Sequence, residues 1–378
     1  MPQPRKNNPF LEFFGCVGAP PPRKAATKRL ATAPASPTPS APPSTPNAGP
    51  PKTNALNVNE SPLFIILPYF NYCHFQRRRQ LFIEFVERYR HTPGIALVVV
   101  EAALQGEAFD LPNPMPDVFA HFRVISQDPI WLKENLINIG VSKLPDDWRM
   151  MAWVDADITF MNENWVEETK ASLTNAPLNV IQMFKTAANL GPSEEVYRLD
   201  RGFAWCILEN AQPGKSASSG SSGKSGNSGK YTDMHPGFAW ACSRKAYEAM
   251  GGLVDWAVLG SGDRHMALAL IGDAVGSAPG GIHDDYKERL QALEQRCKAG
   301  NLRLGVINGT VLHHWHGRLA DRKYRERWNI LIDHGYNPFE DVCRSHRCGL
   351  IQFTERGKRL VPDFLEYFQG RKEDMASL

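Results

Sequence analysis

The chain has 378 residues, 42% of them hydrophobic and 22% charged, with 43 lysines and arginines against 40 acids. A formal net charge of +3 is too balanced to make nucleic acid or a membrane surface the main partner. No apolar run reaches the roughly 18 residues of a membrane-spanning helix, and seven scattered cysteines do not make a disulfide framework.

Residues 19–51 hold 11 prolines among Ala, Ser and Thr. Such a composition cannot bury a core, so residues 1–60 read as a disordered Pro/Ala-rich tail. Order is expected from Ser61. Leu63 to Pro68 is an apolar run closed by proline, a buried strand. Phe75 to Tyr89 places Leu81, Phe82, Phe85, Val86 and Tyr89 at helical spacing. Ile95 to Val100 and Phe122 to Ile125 read as further strands. Trp131 to Ile139 reads as a helix with Gly140 as its C′ residue. Met150 to Val154 is the strand that delivers Asp155 and Asp157. Next come a strand at Leu178 to Phe184 and a long irregular stretch to about residue 235. Within that stretch, residues 214–229 are Gly or Ser at 12 of 16 positions, so 212–232 reads as a flexible loop. Helices are expected near Arg244–Met250, Arg264–Ile271, Tyr286–Lys298 and Ala320–His334, the first ended by Gly251-Gly252.

Strands that are apolar throughout, alternating with helices, predict an α/β fold. Its mixed, mostly parallel sheet is covered on both faces. Ligands then bind beyond the carboxyl ends of the strands, where Asn71, Glu101 and Asp155-Ala156-Asp157 all fall. Three distant segments carry the chemistry: Asp155-Ala156-Asp157, Gly260-Ser261-Gly262-Asp263 and His313-His314-Trp315-His316. Carboxylate oxygen with imidazole nitrogen is a ligand set for Mn²⁺ or Mg²⁺. A metal there suits an enzyme that neutralises a departing diphosphate. A solvated turn or a helix N-cap is the bland alternative for the two aspartates. On an extended strand His314 and His316 share a face; a bend would instead bring His313 and His316 together.

Taken in order, these segments resemble the β1,4-galactosyltransferase type of glycosyltransferase, with its GT-A (nucleotide-diphospho-sugar transferase, Rossmann-like) fold. Pro68-Tyr69-Phe70-Asn71 is similar to that family's P-F-R-N, and Val98 to Ala102 to its second strand. Trp131 to Gly140 is similar to its F-N-R-A-x-L-L-N-V-G helix, and Asp155-Ala156-Asp157 to its D-V-D. Pro236 to Gly252 resembles its G-G-V-x-A-L-S stretch, Gly260 to Asp263 its G-G-E-D, and His313 to His316 its M-I-R-H. The resemblance spans about residues 61–340 and implies a GT-A domain over 61–345, leaving 346–378 as a C-terminal extension.

The resemblance implies Mn²⁺ (or Mg²⁺) held by Asp157, His313 and His316, with a UDP-sugar as donor. It implies Asp155 near the donor ribose and sugar, Asp263 as catalytic base, and Lys133 in the place of the family's nucleotide-binding arginine. Trp131 is expected to stack on uracil. Asn71, Glu101 and the Arg77-Arg78-Arg79 run are candidates for uridine or diphosphate, His235 and Trp240 for the sugar pocket, and His265 is the reserve base. The departures are specific. The family's W-G-W-G-G acceptor loop is Trp256 to Gly260 here, without the second tryptophan, and the acid before the catalytic Asp is Gly262.

The expected activity is therefore transfer of a sugar from a UDP-sugar to a hydroxyl of a glycan, protein or small molecule, with inversion. Two alternatives stay open, a GT-A-like nucleotide- or glycan-binding protein without turnover and a mononuclear metal hydrolase. Lack of a membrane anchor predicts cytoplasmic action.

Overall fold

A computed structural model describes residues 61–211, 231 and 234–375. The expected tail, 1–60, and nearly all of the 212–232 loop lie outside the described residues. In chain order the first half contains β1 (Leu63–Phe70), α1 (Gln76–Tyr89), β2 (Ile95–Leu104), β3 (Ala120–Ser126), α2 (Lys133–Val141), β4 (Met150–Val154), β5 (Ile158–Phe160) and α3 (Trp165–Asn175). Then come β6 (Asn179–Gln182), β7 (Thr186–Leu190), β8 (Val196–Gly202), α4 (Phe203–Asn210), β9 (Met234–His235), β10 (Ala239–Ser243) and α5 (Arg244–Met250). The remainder is α6 (Gly262–Ala269), α7 (Asp284–Ala299), β11 (Arg303–Val306), β12 (Thr310–His313), a 3₁₀ turn (Leu319–Arg322), α8 (Arg327–Asp333), β13 (Val342–Arg344), β14 (Ile351–Phe353) and α9 (Val361–Gly370).

The fold is the expected one. A seven-stranded sheet runs β11-β6-β10-β4-β1-β2-β3. All its pairings are parallel except those of β10, which is antiparallel to both β4 and β6. The apolar runs of β1 are explained by burial on two faces. Leu63, Ile65 and Leu67 join a cluster with Phe82, Phe85 and Leu173 of α1 and α3. Phe64 and Ile66 join another with Leu136 and Ile137 of α2.

A second sheet, β5-β12-β7-β8-β9, stands beside the first. It corrects the expectation of an irregular stretch after Phe184, since β7, β8 and α4 all lie there. Its strands were hard to read because β8 alternates exposed and half-buried residues rather than forming an apolar run. Pairing of β12 with β5 aligns His313 with Ile158 and Leu312 with Thr159. That register carries the histidine segment to the aspartate turn.

Two further expectations are revised. Gly140 lies inside α2, not past its end, because a Cβ there would come within 2.8 Å of Ile66 and 3.0 Å of Val100. Its role is close packing of helix on sheet. The single helix expected over 320–334 is a 3₁₀ turn followed by α8, with Lys323 between them in a left-handed conformation (φ 45°). Residues 346–375 pack into the body of the fold, where Ile351, Phe353, Phe364 and Phe368 join the α2 side of the core. Among the described residues no helix is long and apolar enough to cross a membrane.

Candidate metal centre and active-site cleft

Beyond the carboxyl ends of β1 and β4 opens a cleft of about 1090 Å³. Asp155, Asp157, Asp263, His313 and His316 all line it, together with Trp131, Lys133 and His235. Segments separated by more than a hundred residues thus share one cavity.

Strand β4 ends at Val154, and the chain turns through Asp155-Ala156-Asp157 before β5 begins. Strand β12 ends at His313, and the chain then bends. The bend turns His316 back on His313, with their Nε2 atoms 3.2 Å apart. His314 points elsewhere: its Nε2 meets Thr159 Oγ1 at 2.8 Å, and its amide donates to the carbonyl of Asp157 at 2.8 Å. Asp157 Oδ2 lies 2.8 Å from His316 Nε2 and 3.8 Å from His313 Nε2. One potential ligand atom from each of the three residues falls within 4.8 Å of the others.

This donor set fits a divalent cation. Asp157 Oδ1 is buried without a hydrogen-bond partner, a costly state for a carboxylate oxygen. His316 Nε2 faces an acceptor (Asp157), a donor (Arg322 Nη2, 2.8 Å) and a second imidazole nitrogen. No single placement of a proton satisfies all three, whereas a lone pair on each nitrogen directed at a cation would suit the carboxylate and both rings.

The groups behind the imidazoles fix that tautomer. Asn189 Nδ2 donates to Asp200 Oδ2 at 2.9 Å, which turns Asn189 Oδ1 toward His313 Nδ1, 2.9 Å away. His313 therefore carries its proton on Nδ1 and presents Nε2 to the cleft. Behind His316 stands the Glu373 carboxylate, its Oε2 3.6 Å from Nδ1, a charge contact rather than a hydrogen bond. Glu373 is in turn clamped by Arg78 Nε at 2.7 Å and Arg371 Nε at 2.6 Å. Burial lowers the His313 pKa to about 4, so it is neutral near pH 7. Burial opposes charge on Asp157 too, but His316 and His313 hold its carboxyl well below the usual range.

A second group is built on Lys133. Its Nζ lies 2.6 Å from Asp155 Oδ1 and 2.7 Å from Asp263 Oδ2. The ammonium expected to meet a nucleotide is thus engaged between the two aspartates. Burial raises the Asp155 pKa to about 6 even though Lys133 opposes the rise. Glu134, the next residue of α2, is pushed up to about 8 by burial and by Asp263. Its carboxyl lies over Gly262, where a Cβ would come within 2.3 Å of Oε1. An acid from another element therefore occupies the space beside Asp263, where the sequence carries glycine. Asp263 stands in the first turn of α6, behind Gly260 and Ser261, both left-handed (φ 92° and 80°).

Other expected residues are drawn elsewhere. Asn71 and Glu101 are not brought to the cleft. Asn71 hydrogen-bonds Tyr69 and Asp110, and Glu101 binds the amides of Asp110 and Leu111 and the side chains of His121 and Arg123. Both tie the 105–111 loop to the carboxyl-end region of β1 and β2. Trp240 is fully buried with its indole N–H given to Pro236. His265 is also fully buried, hydrogen-bonded to Ser277 and Tyr286, and cannot reach a substrate. Trp131 does line the cleft, but Phe70 packs against it edge-on and the Arg371 guanidinium lies 5.3 Å from its ring centre. Its Nε1 is buried without a partner. Of the arginine run, Arg78 alone lines the cleft. His235 is there as well, stacked on Phe238 at 3.9 Å.

Asn189, Arg322, Arg371 and Glu373 escaped sequence reasoning. Asn189 falls in the stretch without strand periodicity, and the other three follow the last legible motif. A buried charge far along the chain has no local signature.

No family model matches this chain, and no curated protein matches it in sequence. Distant likenesses exist among solved structures of nucleotide-diphospho-sugar transferases. One is a mutant Drosophila β1,4-galactosyltransferase 7 in complex with manganese, UDP-Gal and xylobiose: 13% identity, TM-score 0.35, covering 80% of this chain and 98% of that one. The catalytic domain of Drosophila β1,4-galactosyltransferase 7 with xylobiose gives 12% identity and a TM-score of 0.32, covering 80% and 98%. A protein assigned as a nucleotide-diphospho-sugar transferase from Desulfovibrio desulfuricans gives 11% and 0.30, covering 69% and 86%. At such TM-scores the likeness carries no argument about activity. The functional reading rests on the cleft.

Proposed function

We propose that this protein is a divalent-metal-dependent glycosyltransferase that moves a sugar from a UDP-sugar to an acceptor hydroxyl with inversion. One observation carries the reading: Asp157, His313 and His316 converge in the same cleft as Asp263. Asp157, His313 and His316 would hold Mn²⁺ or Mg²⁺, which when bound supplies positive charge against a leaving diphosphate.

The chain's own residues do the rest. Asp263 accepts the proton of the acceptor hydroxyl. The oxygen bonds to the anomeric carbon as the bond to the diphosphate oxygen breaks, and that electron pair departs with UDP. Lys133, bonded to Asp263 Oδ2, leaves Oδ1 to receive the proton and fixes the plane of the carboxylate. Asp155, held by the same ammonium, would lie near the donor ribose and sugar. The acceptor is a hydroxyl of a glycan, protein or small molecule.

The test is release of UDP from a panel of UDP-sugars by the full chain in Mn²⁺ buffer, with and without chelator. Chelator-sensitive release that Asp157→Ala abolishes is expected; undiminished release in that variant would refute the assignment. A second reading, nucleotide or glycan binding without turnover, is favoured by one contact. Asp263 Oδ2 is already occupied by Lys133 Nζ at 2.7 Å, so only one carboxylate oxygen is open to an acceptor hydroxyl. Tight Mn²⁺-dependent UDP binding with no turnover on any donor would favour it.

A further inference from the structure

Arg322 ends the 3₁₀ turn and lines the cleft, yet it is only 7% exposed. Among the described residues no carboxylate forms an ion pair with it. Its Nη1 donates to Tyr324 Oη at 3.2 Å, its Nη2 to His316 Nε2 at 2.8 Å, and its Nε is buried with no partner. A buried guanidinium without a counter-ion is costly, and its planar fork suits phosphate. His316 Nε2 has one lone pair. It is the same atom that faces Asp157 and His313, so a cation held there and the Arg322 guanidinium cannot both use it. The cleft supports an anionic ligand more widely, with eight lysines and arginines against five carboxylates in its lining.

We propose that Arg322 is an anion clamp that shares His316 with the metal: displaced from Nε2 when a cation binds, it turns its fork to the diphosphate of the donor. This rests on the metal-centre reading above and adds to it a coupling between metal and nucleotide. Its signature is a pair of effects with opposite signs. Removing the guanidinium deletes a competitor and a like charge beside the metal, and also deletes a phosphate ligand. A merely structural arginine would weaken both bindings together.

The experiment is calorimetric titration of the full chain with MnCl₂ alone, then with UDP at saturating Mn²⁺, on wild type, R322Q, R322K and D157A. R322Q should bind Mn²⁺ several-fold more tightly and UDP about tenfold or more weakly, the scale of a lost charge-assisted hydrogen bond. Unchanged or weaker Mn²⁺ binding in R322Q, or unchanged UDP binding, overturns the clamp. Should R322Q fail to fold by circular dichroism, R322K decides. Lysine keeps the charge without the fork, so weaker UDP binding with Mn²⁺ affinity at or above wild type supports the proposal, and any other pattern overturns it. D157A separates the two readings: if it keeps wild-type Mn²⁺ affinity the metal centre itself is wrong, whatever Arg322 does.

Discussion

Lys133 Nζ lies 2.7 Å from Asp263 Oδ2, joining the start of α2 to the start of α6 across the floor of the cleft. The same ammonium holds Asp155 at 2.6 Å, and all three groups are largely removed from water. A cation among carboxylates in such a place is structural as well as functional, because removing it strands like charges.

Lys133→Met should therefore destabilise the protein by roughly 3–5 kcal/mol, the usual scale for breaking a buried ion pair from one side. Urea unfolding measures this. A loss below about 1 kcal/mol would show that Asp155 and Asp263 do not depend on the ammonium.

Asp263→Asn preserves shape and removes the proton acceptor. Transfer should fall by at least about a hundredfold, the lower range for loss of a general base. UDP affinity in Mn²⁺ should stay within a few-fold of wild type. Equal loss of binding and transfer would make Asp263 structural.

Asn189→Ala leaves the three candidate ligands in place but frees the Nδ1 side of His313. Loss of such an orienting partner typically weakens metal affinity about 10- to 100-fold. Mn²⁺ titration of Asn189→Ala against wild type reads the effect directly, and an unchanged affinity would discount the tautomer argument.

Acid should destabilise the fold through its buried imidazoles. Burial lowers the pKa of His265 to about 3, against about 6.5 in the unfolded chain. Between those values the unfolded state binds a proton that the native state does not, so stability falls as pH drops from about 6.5 toward 3. One such group contributes a slope of about 1.4 kcal/mol per pH unit. His235, lowered to about 3, and His313, lowered to about 4, add to it. In a urea series at pH 7, 6, 5 and 4, His265→Gln should be less acid-sensitive than wild type by about one proton. Parallel curves would mean that His265 takes up a proton in the fold as readily as in the unfolded chain.

Local pattern reached a good part of this. The strands β1, β2 and β4 are buried on both faces, so their apolar runs are visible without knowing the neighbours. The helices α1 and α5 declare themselves by spacing and by the left-handed Gly251 cap. Strand β8 does not, because its apolar residues Val196, Tyr197 and Leu199 are exposed and mark no buried face. Gly140 misled because a cap and a close helix–sheet contact both select glycine, and only the distance to Ile66 tells them apart.

By itself the sequence determined which residue types were available and roughly where strand ends would offer them: the Asp155-Asp157 pair, Asp263 and the His313–His316 group. Only the tertiary structure decided which would meet. Pairing of β5 with β12 and the bend after His313 chose His316 over His314, and the packing of residues 346–375 brought Glu373 behind it. The reason is that hydrophobic spacing is a local property of the chain. The register of distant strands and the pairing of buried charges are settled by contacts between residues far apart in sequence, which no local pattern encodes.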